Sequence, residues 1–349
     1  GSGFTYNHTL NVTGGSDKTH YMMSMGYYDQ KGLTKNTDYQ RYNIRINLDS
    51  KVAKCITVGM NSSLSYRTID VPSNPYSNSN DISQFFRQAN RIPNTYVNRY
   101  SDGSWGRHID GNPIAWIESG GKNTSHYSHV LGSVYGEVNI IDGLTLKGIA
   151  GVDYTIDEGK SHIVEITYAN GTVQGPNSVS DYWAKNMTTS LQALLNYNKT
   201  FGMHSIKCLL GVSREAYKYH TTSAYRKNFP SNELTELNAG STDGWSNSGT
   251  SLDANLGSYF GRINYEYANR YLVEANLRVD GSSKFARGHR WGTFPSFSAG
   301  WRVSEEKFMK QYEWIDNLKI RSSWGKLGNH RTSDYQYIAT IGLGQNYPF

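Results

Sequence analysis

The chain has 349 residues, 37% of them hydrophobic, with Tyr (27) and Gly (35) abundant, Pro (8) scarce and two cysteines. The formal charge is +6, but its Lys and Arg are spread along the chain with no basic run, which argues against a nucleic-acid binder. Mean hydropathy is −0.62 and no run of about 18 apolar residues occurs, which excludes a transmembrane helix but not a membrane barrel, whose alternating apolar residues average away in a hydropathy window.

Strand-like segments of period two begin at once and recur to the end. His8, Leu10 and Val12 alternate with Asn7, Thr9, Asn11 and Thr13; Tyr21, Met23, Met25 and Tyr27 share one face of the next segment. In "YQRYNIRINLDS", Tyr42, Ile44, Ile46 and Leu48 alternate with Arg41, Asn43, Arg45, Asn47 and Asp49. The same alternation returns at Ile56–Tyr66, Val130–Ile140, Leu144–Tyr154, Met187–Tyr197, Ile206–Val212, Tyr259–Tyr267, Tyr271–Val279, Phe297–Val303 and Leu318–Trp324. About a dozen strands are expected, most near the 9–11 residues that a tilted strand needs to cross a bilayer. Cys55 and Cys208 belong to no CxxC and fall in apolar-looking strand phases, so they read as packing residues rather than a redox pair or metal ligands.

The connections alternate short and long. "GGSDK", "DSKVAK", "IDG", "NKTFGM" and "YANR" are short, while long loops are expected at about 67–125, 156–185 and 219–250. Outer-membrane barrels sort their connections in this way, with short turns inside and long loops outside. Two stretches blur the rule: "DQKGLTKNTD" is a modest outer loop, and "SEEKFMKQYEWIDN" is a long inner turn with room for a short helix. The tyrosines lie toward the ends of the apolar faces, at Tyr21, Tyr27, Tyr42, Tyr66, Tyr154, Tyr197, Tyr267 and Tyr271. An amphipathic ring is best placed where hydrocarbon gives way to head groups. The fold expected is all-β, an antiparallel transmembrane β-barrel. A register slip of one residue in "YQRYNIRINLDS" would put Arg41 and Arg45 into hydrocarbon, at about 2–4 kcal/mol each near the midplane.

At "HTLNVTGGSDKTHYMMSMGYYDQKGLTKNTDYQRYNIRINLDSKV" (His8–Val52) the sequence resembles the SusC/RagA family of TonB-dependent outer-membrane transporters. The resemblance is renewed at Ser258–Phe285, Arg290–Met309 and Ile315–Asn329, with weaker echoes in "NPIAWI" (Asn112–Ile117) and "ELTELNAG" (Glu233–Gly240). It implies a 22-stranded barrel closed by an N-terminal plug, energised by the TonB complex, capped by a SusD-like surface lipoprotein and importing oligosaccharides (glycans) or peptides across the outer membrane. The chain departs from that pattern: the plug, the TonB-contacting box, the first strand or so and the last third of the barrel are not among its residues. Residues 1–349 are therefore read as a partial barrel, beginning and ending inside strand patterns. No cofactor is implied.

The loops carry Trp105, Trp116, Trp183 and Trp245 among Asn, Asp, Ser and Tyr residues. Indole faces stack on sugar rings and amides bond hydroxyls, so these four are the candidate substrate contacts; packing of the loop on itself is the competing reading of each. Arg278 and Asp280 share the inward phase and are placed to pair. Pro295 is read at a strand start, and Gly325 and Gly328 as a bulge or close backbone approach. His126 and His129, three apart in a strand, point to opposite faces and make a poor metal site. No nucleophile elbow, zinc spacing or phosphate loop occurs, so no enzyme is expected. A ligand-binding or adhesin barrel and a passive porin remain open beside active import, because all three need the same lipid face.

Overall fold

The structure is a computed structural model and describes residues 2–73, 82–109, 111–312 and 314–339. Twelve strands form one antiparallel sheet in which each pairs with its neighbour in sequence. They are β1 (Phe4–Gly15), β2 (Thr19–Lys31), β3 (Asp38–Ala53), β4 (Ile56–Pro72), β5 (Gly121–Ile141), β6 (Leu144–Ile163), β9 (Ser178–Phe201), β10 (His204–Lys227), β11 (Ser246–Tyr267), β12 (Tyr271–Ser282), β13 (Trp291–Arg302) and β14 (Lys319–Gly325). Helices α1 (Ser83–Arg91) and α2 (Pro113–Ser119) lie between β4 and β5, and a two-stranded ribbon of β7 (Ile166–Thr167) and β8 (Val173–Gln174) lies between β6 and β9.

The connections separate by parity, as the sequence implies. At one end they occupy 16–18, 54–55, 142–143, 202–203 and 268–270, with 303–318 the long exception, where Val303–Glu305 forms one 3-10 turn. At the other end they occupy 32–37, 73–120, 164–177, 228–245 and 283–290. The turn after β5 closes in two residues because Gly143 takes φ +82°, which a side chain would resist.

Three local expectations change. The strands run into stretches expected to be loop: β5, β6, β9, β10 and β11 have 21, 20, 24, 24 and 22 residues. The connections therefore narrow from 67–125, 156–185 and 219–250 to 73–120, 164–177 and 228–245, and residues 74–81 and 110 lie outside the described residues. Beyond the bilayer a strand needs no apolar alternation, yet its ladder continues, so the hydropathy pattern ends before the pairing does. Pro295 lies inside β13 rather than at its start. Its carbonyl accepts from Lys326 N–H at 2.9 Å, so its nitrogen faces the β14 side, one residue beyond the last ladder pair, Ser296 with Gly325. The missing donor thus costs no ladder bond. Cys55 sits exposed in the 54–55 turn, not in a strand phase.

Among the described residues no second protein layer lies over the apolar face. Leu64, Leu210 and Ile263 are 46%, 61% and 55% exposed, and Ile44, Ile46, Val58 and Leu195 are exposed or half-exposed. A soluble sandwich would bury these residues against a second sheet. The cluster of buried apolar residues lies in the loops, not on the sheet.

The register also gives the slope of the strands. Tyr27, Tyr42 and Tyr66 lie on one row of partners, which continues through Ser128, Ile156, Lys185 and His220 to Ser251 on β11. The outward aromatic residue of β11 on this side is Tyr259, stacked on Trp291 at 5.9 Å and eight residues past Ser251. At the short-turn end, the row of Tyr21 reaches Gly257, while the ring there is Tyr267, ten residues further on. Eight to ten residues at about 3.4 Å, across seven strand spacings of about 4.8 Å, give a slope of roughly 40–45°. That is the tilt of strands in a membrane barrel. Two aromatic lines slanting in parallel mark the two edges of one apolar band.

A charge on the outward face must cross that band. Ile44→Arg is expected to destabilise the barrel in lipid vesicles by about 2–4 kcal/mol, while Asn43→Arg, one residue away and facing inward, changes it by less than about 1 kcal/mol. Urea titrations of the full-length protein in vesicles check the pair; equal effects would reject the assignment of faces.

Candidate functional site

The inward face is a wall of paired polar side chains. Arg278 Nε donates to both oxygens of Asp280 at 2.7 and 2.9 Å, and Arg278 Nη2 donates to Ser258 Oγ at 2.9 Å. His129 Nε2 meets Asp153 Oδ1 at 2.8 Å, Tyr135 donates its hydroxyl proton to Asp49, and Lys147 lies 4.0 Å over the Tyr135 ring. Arg67 stacks on Tyr127 at 3.9 Å. His126 faces the other way, against Tyr66, so the two histidines stand on opposite faces. Near the short-turn end, Lys207, Asn264, Glu274, Ser298 and Ser323 follow one inward register row and line an open cleft of ≈ 690 Å³ with Lys319 and Arg321. Gly328 closes against the Phe294 ring, where a Cβ would come within 2.2 Å, so this glycine marks the close approach read from "WGKLGN".

Above this wall two loops fold into a module with a core of its own. Phe85, Ala115, Trp116, Ile166 and Tyr168 are buried together, with Trp105 and Ile117 packed against them. "NPIAWI" accounts for its centre. Asn112 Oδ1 accepts from Ile114 N–H at 3.0 Å and Ala115 N–H at 3.2 Å, capping α2, and Pro113 opens the helix where its missing donor is harmless. The Asn112 amide donates to the carbonyls of Asn98 and Gly106 at 2.7 and 2.9 Å. Trp116 Nε1 donates to Gln174 Oε1 at 2.8 Å, tying α2 to β8. Neighbouring loops dock by amides: Asn36 Nδ2 donates to Ile117 O at 2.8 Å, and Asn177 bonds both backbone groups of Phe229 at 3.1 and 2.7 Å. Asn232 and Glu165 exchange two bonds at 3.0 Å each. At the opposite end, Glu306 accepts from Tyr271, Trp301 and Arg270 at 2.6, 3.1 and 3.3 Å; these contacts hold its carboxyl below the usual range and pin the long inner turn.

The four candidate tryptophans separate. Trp116 is 0% exposed, so it acts through the module's fold and not by touching a ligand. Trp105 is half-buried beside it, with the Arg99 guanidinium 4.8 Å from its ring. Trp245 is 61% exposed at the end of the 228–245 loop. Trp183 belongs to β9 rather than to a loop, and it shares the outward phase of Lys185 and Met187. The sequence reading quoted Asn112 only as the start of "NPIAWI", without its capping role, and did not single out Tyr168 or Gln174; the Asn-Pro pair ahead of "IAWI" was the available signal for the first.

Trp116→Ala is expected to cost the module about 3–5 kcal/mol, visible as faster amide exchange across 82–109 and 164–177 with the barrel strands unchanged. His108 is buried with Nε2 against Asn98 Oδ1 at 3.2 Å, and burial pushes its pKa below the ordinary 6.5. Below about pH 6.5 the opened loop therefore binds a proton that the folded loop refuses, so the module loses stability as pH falls. The protection factors of Asn98 and His108, referred to the intrinsic exchange rate at each pH, are expected to fall between pH 7 and pH 5, and His108→Gln to flatten that dependence.

No known family profile matches the chain. It is 29% identical over 344 residues to the TonB-dependent receptor P39 of Formosa agariphila, covering 97% of this chain and 32% of that receptor. It is 25% identical over 370 residues to the TonB-dependent receptor SusC of Bacteroides thetaiotaomicron, covering 97% of this chain and 35% of that receptor. A solved structure of the RagAB peptide importer in its open-open state superposes with a TM-score of 0.82 at 22% identity, over 99% of this chain and 38% of that one, a likeness of fold. The chain spans about a third of the length of the curated relatives it matches. These names are of receptors and an importer, not of enzymes. With an apolar band bounded by slanting aromatic lines, the chain has the fold of an outer-membrane β-barrel segment and is similar along 97% of its length to TonB-dependent receptors, SusC among them.

Proposed function

We propose that the whole protein imports a glycan or a peptide across the outer membrane, driven by the TonB complex, with a SusD-like surface lipoprotein over the long-loop end. The match to TonB-dependent receptors along 97% of the chain carries this reading. In it, further strands complete a 22-stranded barrel, and a plug occupies the space faced by the inward wall. Strand edges exposed to lipid cannot be left unpaired, which supports closure by further strands on β1 and β14. The long-loop end is then the extracellular mouth.

The loop module supports selective binding over passive flow. A porin needs no such core at its mouth, and an adhesin needs no inward wall lined by Lys207, Glu274 and Arg321. In this reading Trp245 and the open edge of Trp105 are the substrate contacts, Trp116 positions the module, and Trp183 stands outside the path.

Two measurements test this. Uptake by cells carrying the full-length protein is expected to stop when the TonB complex is inactivated; undiminished uptake would rule out energised import. Trp245→Ala and Trp105→Ala are each expected to weaken substrate binding about tenfold, against no change for Trp183→Ala. A panel of glycans and peptides, offered with the partner lipoprotein, decides between the two substrate classes.

A further inference from the structure

Where the apolar band ends on β9 and β10, the outward face turns basic. The outward phase of β10 runs Cys208, Leu210, Val212, Arg214, Ala216, Lys218, His220, and that of β9 runs Leu195, Ala193, Leu191, Thr189, Met187, Lys185, Trp183. The aromatic line from Tyr27 on β2 to Tyr259 on β11, interpolated strand by strand, meets β10 at about Arg214 and β9 between Thr189 and Leu191. Arg214 therefore stands at the edge of the hydrocarbon, and Lys218 and Lys185 stand just beyond it, on the long-loop side.

These cations lack the partners that others on this sheet have. Lys122, Lys147, Lys160 and Lys199 each hold a carboxylate at 3.1 to 3.6 Å. Among the described residues no carboxylate oxygen lies within 4.0 Å of Arg214, Lys218 or Lys185, although Asp253 is the register partner of Lys218. Lys185 lies 5.9 Å over the Trp183 ring, which meets His220 edge-on at 5.8 Å, and His220 is fixed by Ser251 Oγ at 2.8 Å. Lys185 and Lys218 are diagonal neighbours, about 7–8 Å apart across the strand pair, a span that two ammonium groups close around one phosphate. Arg214, about 14 Å from Lys218 along the strand, reaches a second anionic group at the rim of the band.

We propose that Arg214, Lys218 and Lys185 form a binding site on the outer wall of the barrel for a phosphate-bearing lipid headgroup of the leaflet on the long-loop side. The acyl chains would lie on Leu191, Val212 and Leu210 below, and the phosphate would sit between Lys185 and Lys218, with Arg214 at the rim of the band below them. A lipid is the occupant that joins these two chemistries: the patch is continuous with the hydrocarbon band, and its charge is opposite to that of a headgroup phosphate. The patch faces away from the lumen, so transported cargo does not reach it. The inference rests on the barrel standing in a bilayer, and not on what it imports.

The test uses the full-length protein, purified in detergent, stripped of lipid and titrated with dioleoyl phosphatidic acid, with dioleoylglycerol or with inorganic phosphate, bound molecules being counted by native mass spectrometry. The triple variant Arg214→Gln, Lys218→Gln, Lys185→Gln is expected to bind phosphatidic acid about 100-fold more weakly than the native protein. Its binding of dioleoylglycerol should be unchanged. Lys207→Gln with Arg321→Gln, on the inward wall, should leave both affinities intact, and heat-resistant gel mobility confirms that each variant is folded. Equal phosphatidic acid binding by the folded triple variant overturns the proposal. So does displacement of the lipid by equimolar inorganic phosphate, which would make the patch a free-anion site. Loss of a co-purifying protein with lipid binding intact would assign the patch to a protein partner instead and also overturn it.

Discussion

Backbone hydrogen bonding in a medium without water is the constraint on which this molecule is built. Each N–H and C=O inside the apolar band must find a partner in the next strand, which fixes the ladder, and the ladder fixes the alternation of faces. From Tyr21 on β2 to Gly257 on β11 one unbroken row of partners crosses eight strands, so a slip at any pair would invert every side chain of that strand. The polar pairs of the inward wall have little to do with holding this arrangement. His129 with Asp153 and Arg278 with Asp280 are partly exposed, and such pairs contribute on the order of 0–1 kcal/mol each. The wall can exchange partners with water or cargo without disturbing the sheet behind it.

Much of this was legible from period two alone. The alternation of Tyr42, Ile44, Ile46 and Leu48 with Arg41, Asn43, Arg45 and Asn47 is a direct image of β3, and the parity of short and long connections survives almost unchanged. The signal failed where its physical cause stops. Above the aromatic line the β9 and β10 extensions are polar on both faces, so Trp183 reads as a loop residue although it sits in a ladder with Thr222 and Glu158. Cys55 and Pro295 were misplaced for a related reason: hairpin tips and the last pair of a ladder are set by backbone partners, which hydropathy does not record. The module core was hidden for another reason, since Phe85, Trp116 and Ile166 are brought together by two loops far apart in sequence.

The loops show how a surface with little apolar material is held in shape. Outside the Trp116 core, the connections are joined by side-chain amides acting as extra backbone. Asn177 and Asn232 each offer a donor and an acceptor to main-chain groups of another connection, and Asn36 donates to one, doing between loops what a ladder does between strands. The abundance of Asn is therefore structural as well as solubilising. It also divides the tryptophans by role: Trp116, closed over by these bonds, sets the shape of the module, whereas Trp245 is left on its surface.

The same phase rule assigns opposite fates to similar charges. Arg45 and Arg214 both lie in strands that cross the band, yet Arg45 faces the hydrated interior beside Ser24 and Ser63, while Arg214 faces outward between Leu191 and Gly257. An outward arginine is tolerable only at the edge of the hydrocarbon, because its cost falls steeply from the midplane to the interface. The register row of Arg214 passes through Tyr21, in the lower aromatic line at β2, but by β10 the tilt has carried it up to the upper line. Strand tilt, rather than sequence position, thus decides that this charge meets head groups and not acyl chains.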